Sequence, residues 1–316
     1  MNATAYPGYE YHLNLFEIMA HGTDEEKTAA REAQQRYITG YTKPEGMTIA
    51  ERTIPGGDGQ DMRLRVFTPA GLPERAPIVI DVHGGGWVAG SLDIDNYRCI
   101  ALAEGTPAIV VSVEYRLSNA EVHFPAPLLD CCAALRWVGE HAGELGGDET
   151  RIALHGTSAG ANLCAGLALY VRDFGGPKLS LVILNCPALS LENTYSKRLY
   201  PQFALCTDAK RDAPEMIYLG AEQFGRTPSY YAFPGCCSDL EGLAPHYVIV
   251  GEYDTLRDDG LRYATRLLET GVPCELQVAP RVGHGFCVVD HPLTRWVHKG
   301  VCASLRREFG MDIVEF

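Results

Sequence analysis

A chain of 316 residues that is 46% hydrophobic and 21% charged, with no long low-complexity tract, has a globular composition and the length to bury a large core, and nothing in it suggests disorder. A net charge of -13 argues against a nucleic-acid backbone or an anionic membrane as principal partner, because both need a basic face. The eleven cysteines are odd in number, include the adjacent pairs Cys131-Cys132 and Cys236-Cys237, and form no Cys-x-x-Cys, so neither a zinc ribbon nor a thioredoxin-type pair is supported. Most are expected to be reduced, buried small residues.

The N-terminal stretch "MNATAYPGYEYHLNLFEIMAHGTDEEK" lacks the basic start and apolar core of a secretory signal, and no uncharged run approaches membrane-spanning length. A cytoplasmic protein without membrane insertion is expected. Within the first forty residues, Thr23-Asp24-Glu25-Glu26 forms a capping box ahead of "KTAAREAQQRYI", and Gly40 closes a predicted helix. From Met47, "MTIAERTIPGGDGQDMRLRVFTP" alternates apolar and polar residues around a glycine-rich turn, the pattern of a two-stranded hairpin.

Short apolar runs then alternate with helical segments: "PIVIDV", "AIVVSVEY", "RIAL", "LVILNC", "YVIVGEY" and "ELQVA". Near-continuous Val, Ile and Leu separated by helices is the signature of buried parallel strands. Helices are predicted over Tyr97-Glu104, Ala126-Glu144, Ala159-Phe174, Arg257-Thr270 and Pro292-Phe309. The expected fold is an antiparallel start leading into a doubly wound parallel sheet, with ligands at the carboxyl ends of its strands.

Those strand ends carry the chemistry. After "PIVIDV" stands His83-Gly84-Gly85-Gly86-Trp87, whose glycines expose backbone N–H groups able to face a developing negative oxygen. After "RIAL" stands Gly156-Thr157-Ser158-Ala159-Gly160, followed directly by a helix-capable run. A serine between glycines in a strand-turn-helix context is the nucleophile-elbow pattern, although the pentapeptide alone also fits a serine that merely caps the helix. A serine hydroxyl needs a base, and the base needs an orienting acid. His284, in Gly283-His284-Gly285-Phe286, follows the last predicted strand, with His291 and His298 as rivals in or near the final helix. Asp254 follows "PHYVIVGEY", with Glu252, Asp258 and Asp259 close by.

With these residues in hand, the chain resembles the bacterial hormone-sensitive-lipase-like esterases of the α/β-hydrolase fold. The likeness runs from about Met47 to the C-terminus and includes Glu114-Tyr115-Arg116-Leu117, Phe124-Pro125-Ala126 and Asp254-Thr255-Leu256-Arg257-Asp258-Asp259-Gly260 besides the motifs above. The resemblance implies a mostly parallel sheet of about eight strands flanked by helices under a helical cap. Ser158, Asp254 and His284 would be catalytic, and the N–H groups of Gly85, Gly86 and Ala159 would form the oxyanion hole. The implied activity is hydrolysis of short to medium acyl esters through an acyl-enzyme, with no metal or cofactor. An amide or formamide hydrolase is the alternative use of the same groups; a non-catalytic receptor is disfavoured by the presence of His284. Because relatives dimerise through the last strand, a homodimer is a candidate assembly.

By the same resemblance, residues 1–45 and an insertion at about 187–234 would form the cap over a catalytic domain of 46–316. The insertion is rich in aromatic residues, and Trp87, Tyr195, Phe203, Tyr218 and Phe286 are candidates for contact with a small-molecule ester. Two departures stand out: Thr157 occupies the place where the family usually has Asp, as in one of its branches, and "YRLSNAEVHFPA" alters the family's Tyr-Arg-Leu-Ala-Pro-Glu-x-x-Phe-Pro loop.

Overall fold

The computed structural model describes residues 4–10, 18, 22–39, 42–200, 213–223, 225–288 and 290–312. Among them, helix α1 (Asp24–Thr39) opens on the predicted capping box. The Thr23 N–H donates to Glu26 Oε2 at 2.8 Å and the Glu26 N–H donates back to Thr23 Oγ1 at 3.2 Å.

Eight strands form one sheet: β1 (Thr48–Pro55), β2 (Asp61–Thr68), β3 (Ala76–Val82), β4 (Ile109–Val113), β5 (Gly147–Thr157), β6 (Leu179–Asn185), β7 (His246–Gly251) and β8 (Cys274–Ala279). Their spatial order is β1-β2-β4-β3-β5-β6-β7-β8. The pairs β1·β2 and β2·β4 are antiparallel and all later pairs are parallel, as the hairpin and the apolar runs predict. The connecting helices are α2 (Asn96–Gly105), α3 (Ala126–His141), α4 (Ala159–Phe174), α7 (Arg257–Glu269) and α8 (Pro292–Glu308); the 187–234 region holds the short α5 (Tyr195–Leu199) and α6 (Pro214–Leu219). Strand β5 begins four residues before the predicted "RIAL", and α3 stops at His141, where a 3₁₀ turn (Ala142–Leu145) ends on Gly146 at φ 80°.

Strand periodicity divides the core. Ile78, Ile80 and Val82 of β3 and Ile152 and Leu154 of β5 face α3, α4 and α7, packing with Leu128, Leu135, Leu163 and Leu167. Val79, Ala153, Leu181 and Ile183 point the other way, against Leu102 of α2 and Val297 and Val301 of α8. Alternate side chains therefore serve opposite layers, which is why these strands read as unbroken apolar runs. The chain leaves β3 toward β4 on one side and leaves β5 toward β6 on the other, so their adjacent carboxyl ends form the switch point of the sheet.

Candidate active site

Ser158 sits between the end of β5 and the first residue of α4 with φ 57° and ψ -119°. Such a conformation costs an L-residue about 1–3 kcal/mol and persists only where its surroundings enforce it. Here the Ser158 N–H donates to the Asn185 carbonyl at 2.8 Å, and its own carbonyl accepts from Asn162 N at 3.0 Å. The two glycines of the pentapeptide make the bend possible. A β-carbon on Gly156 would lie 2.5 Å from the Gly160 backbone, and one on Gly160 would lie 2.0 Å from the Val82 carbonyl oxygen at the end of β3. No L side chain survives either contact, so the fixed glycines of the motif follow from crowding between neighbouring strand ends.

The His83–Gly86 loop leaves β3 beside this bend. Gly85 has φ 127°, and a β-carbon there would meet the Ala89 carbonyl at 2.0 Å. The buried His83 ring stacks on Tyr115 at 4.3 Å, while the Tyr115 hydroxyl donates to the His83 carbonyl at 3.0 Å. Burial holds the His83 pKa below its usual value, favouring the neutral ring. Among the described residues, the N–H groups of Gly85, Gly86 and Ala159 donate to no protein acceptor. Three backbone donors left unpaired beside one strained serine are what a developing oxyanion requires.

Asp254 and His284 complete the cluster from the ends of β7 and β8. His284 Nε2 lies 2.8 Å from Ser158 Oγ, and its Nδ1 lies 3.1 and 3.0 Å from Asp254 Oδ1 and Oδ2. Asp254 is fully buried, and the Leu256 N–H donates to its Oδ1 at 2.8 Å, which fixes the carboxylate plane. The rivals are engaged elsewhere. Asp259 Oδ2 accepts from the Leu189 and Ser190 N–H groups and from Lys197 Nζ at 3.2 Å, with burial pushing its pKa up to about 6 against the pull of Lys197. Asp258 accepts from Ser196 N, Glu252 accepts from Arg281 N, and His291 caps α8 by accepting from Leu293 N. His298 Nε2 lies 3.4 Å from Cys302 Sγ.

Three of the expected substrate contacts are core residues. Trp87 is 1% exposed and stacks on the fully buried Tyr218 at 4.6 Å, with Phe233 at its edge. Phe286 is fully buried in the layer with α2 and α8. Large rings supply the apolar area that closes these layers, which takes them out of reach of solvent. Tyr195 is 53% exposed on α5, and Phe203 lies outside the described residues.

Asn162 is a residue that motif reading passes over. Its Oδ1 accepts from Trp87 Nε1 at 3.2 Å and its Nδ2 donates to the carbonyls of Ala188 and Ala232 at 2.8 and 2.9 Å. One buried amide thus ties the elbow helix to the glycine loop and to both ends of the 187–234 segment. The altered loop serves a similar purpose: Ser118 N donates to the Trp87 carbonyl at 2.7 Å and Phe124 N to the Tyr218 carbonyl at 2.6 Å. The Thr157 hydroxyl, where the family usually has Asp, is buried with no hydrogen-bond partner among the described residues.

A family model described as alpha/beta hydrolase fold matches residues 79–288, a span that contains the glycine loop, the elbow, Asp254 and His284. The carboxylesterase NlhH of Mycobacterium tuberculosis is 39% identical over 284 residues, covering 87% of this chain and 86% of its own length. The chain belongs to the hormone-sensitive-lipase-like esterases of the α/β-hydrolase fold. Among solved structures, a bacterial heroin esterase aligns with TM-score 0.79 and 31% identity over 90% of this chain and 91% of its own. The esterase LipW from Mycobacterium marinum aligns with TM-score 0.78 and 32% identity over 91% of each chain.

Behind the sheet of this family member, on the α2 and α8 side, lies a cavity of about 260 Å³ lined in part by Arg98, His155, Asn185 and His298. Ser158, Asp254 and His284 do not line it. Beside it is a buried charge cluster. Burial alone would raise the Asp81 pKa, but Arg98 and His155 hold its carboxylate well below the usual range, with His155 Nδ1 only 2.7 Å away. Charges so matched need no reacting partner to account for their burial. No helix among the described residues is long and apolar enough to cross a membrane.

Proposed function

We propose that this chain is a serine carboxylesterase hydrolysing short to medium acyl esters, with Ser158 as nucleophile, His284 as general base and acid, and Asp254 as the group that orients His284. The observation that carries the reading is the continuous hydrogen-bonded path from Ser158 Oγ through both ring nitrogens of His284 to a buried carboxylate. With the Nδ1 proton donated to Asp254, Nε2 keeps its lone pair and takes the serine proton as Oγ attacks the ester carbonyl. The N–H groups of Gly85, Gly86 and Ala159 receive the oxyanion, and their alignment before the reaction avoids a reorganisation cost worth several kcal/mol in such sites. His284 then protonates the leaving alcohol, and water repeats the sequence on the acyl-enzyme.

Residues 1–45 and about 187–234 are assigned to the cap, over a catalytic domain of 46–316. The hydrogen bonds from Asn162 to Ala188 and Ala232 support this assignment by coupling the insertion to the elbow helix. The ten free cysteines among the described residues fit a reducing compartment, which supports a cytoplasmic location.

The test is p-nitrophenol release from acetate, butyrate, octanoate and long-chain esters by the intact protein beside Ser158→Ala. Turnover of the short esters that disappears in the variant is the expected result. Absence of turnover by the intact, folded protein on the whole ester series would overturn the reading.

A further inference from the structure

Cys186 takes no part in the chemistry above, yet its Sγ, a carboxylate oxygen of Asp254 and a ring nitrogen of His284 all lie within 4.8 Å of one another. The placement is firm. Cys186 follows β6 at φ 51° and its N–H donates to the Ile249 carbonyl of β7 at 2.7 Å, so its Cα is tied to the strand that leads to Asp254. All three side chains are buried. A thiol, a carboxylate and an imidazole at these separations form a donor set for a borderline or soft divalent cation.

Resting on the esterase reading, we propose that this cluster is an inhibitory site for a thiophilic divalent cation such as Zn²⁺, held by Cys186 Sγ, Asp254 and His284 Nδ1. A tetrahedral ion with bonds of about 2.0–2.3 Å separates its ligand atoms by roughly 3.3–3.8 Å. The Asp254 to His284 separation of 3.0 Å is already close to that range, and the thiol lies inside the 4.8 Å limit of the cluster. Charge also balances: the thiol proton leaves to solvent, and one thiolate plus one carboxylate neutralise the divalent ion, so no net charge is buried. The proton on His284 Nδ1 has to move to Nε2 when the metal takes the Nδ1 lone pair. The neutral ring then presents N–H to Ser158 Oγ at 2.8 Å and has no acceptor for the serine proton. Inhibition thus follows from tautomer exchange, with no obstruction of the pocket required. The fourth coordination position is left to water.

The experiment titrates Zn²⁺ against turnover of p-nitrophenyl butyrate in a non-chelating buffer, for the intact protein, Cys186→Ala and Cys186→Ser. Expected are inhibition reversed by EDTA and a half-inhibitory zinc concentration raised about tenfold or more in both variants, the scale for weakening a metal site. A parallel titration with Cd²⁺ reads the ultraviolet cadmium–thiolate band, which should be weaker at one equivalent in Cys186→Ser and retained in Ser158→Ala. Because the band needs no turnover, it separates failure of this site from failure of the esterase reading, and the serine variant covers the case in which alanine does not fold. Zinc dependence unchanged by either substitution, no inhibition at all, or a cadmium band indifferent to Cys186 would each overturn the proposal.

Discussion

Asp254→Asn tests the orienting carboxylate with almost no change in shape. The Leu256 N–H donates to Oδ1 at 2.8 Å, so the amide oxygen of the asparagine is held at that position. Its NH₂ group then occupies the Oδ2 position, 3.0 Å from His284 Nδ1. A donor there disfavours a proton on Nδ1, and with it the tautomer whose free Nε2 receives the Ser158 proton in the proposed mechanism. Removing the correct tautomer while preserving geometry lowers kcat by about 10⁴ in serine triads, or roughly 5.5 kcal/mol of transition-state stabilisation. The assay is steady-state hydrolysis of p-nitrophenyl butyrate, with circular dichroism to establish that the variant is folded and Ser158→Ala to give the floor. The loss should fall mainly on kcat, because the group acts through His284 and touches no substrate. A loss smaller than about tenfold, roughly 1.4 kcal/mol, would refute the assignment of Asp254 and the tautomer reasoning with it.

Asn162→Ala removes three buried hydrogen bonds and strands the Trp87 indole N–H, so denaturant unfolding should show a loss of about 3 kcal/mol or more; a change under about 1 kcal/mol would mean the bonds are not a structural tie. Gly160→Ala places a β-carbon 2.0 Å from the Val82 carbonyl oxygen and should abolish soluble expression or cost about 3 kcal/mol or more. Wild-type yield and stability in this variant would show that the β3 and β5 ends can separate at little cost. His246 is buried, with its pKa pushed down to about 4 from 6.5 by burial, against a hydrogen bond to the Ala244 carbonyl that favours the charged ring. Its folded pKa is depressed, so the neutral ring's full stabilisation is present above about pH 6.5 and is lost as pH falls through about 4, an effect of order 3 kcal/mol. The unfolding free energy measured from pH 7 to 4 should therefore fall more steeply for the intact protein than for His246→Asn, and parallel curves would contradict the assignment.

Much of the candidate site was legible in the sequence because its motifs are local. Gly156 to Gly160 and His83 to Gly86 carry their own turn signals: Gly85 leaves room for the Ala89 carbonyl and Gly156 for the Gly160 backbone, and the residues around the serine already dictate the strand-turn-helix form. The parallel strands were legible for an equally local reason, since burial on both faces demands an apolar side chain at nearly every position. The acid was less clear. Glu252, Asp254, Asp258 and Asp259 lie within eight residues of one another, and spacing along the chain separates them poorly.

Only the docking of distant strand ends decided the rest. Ser158 and His284 are 126 residues apart and meet because β5, β6, β7 and β8 are neighbours in parallel register, which brings their carboxyl ends into one row. The same assembly assigned Asp259 to the Leu189 and Ser190 backbone, buried Trp87, Tyr218 and Phe286 in the core, gave Asn162 its three partners and set Cys186 beside Asp254 and His284. The sequence by itself determined the glycine-bounded bend, the glycine loop and the layer pattern, because those signals lie in a few adjacent residues. Which carboxylate meets the imidazole, and which aromatic ring is sealed away from solvent, depends on strand register and helix packing between segments distant in the chain, so only the tertiary structure decided it.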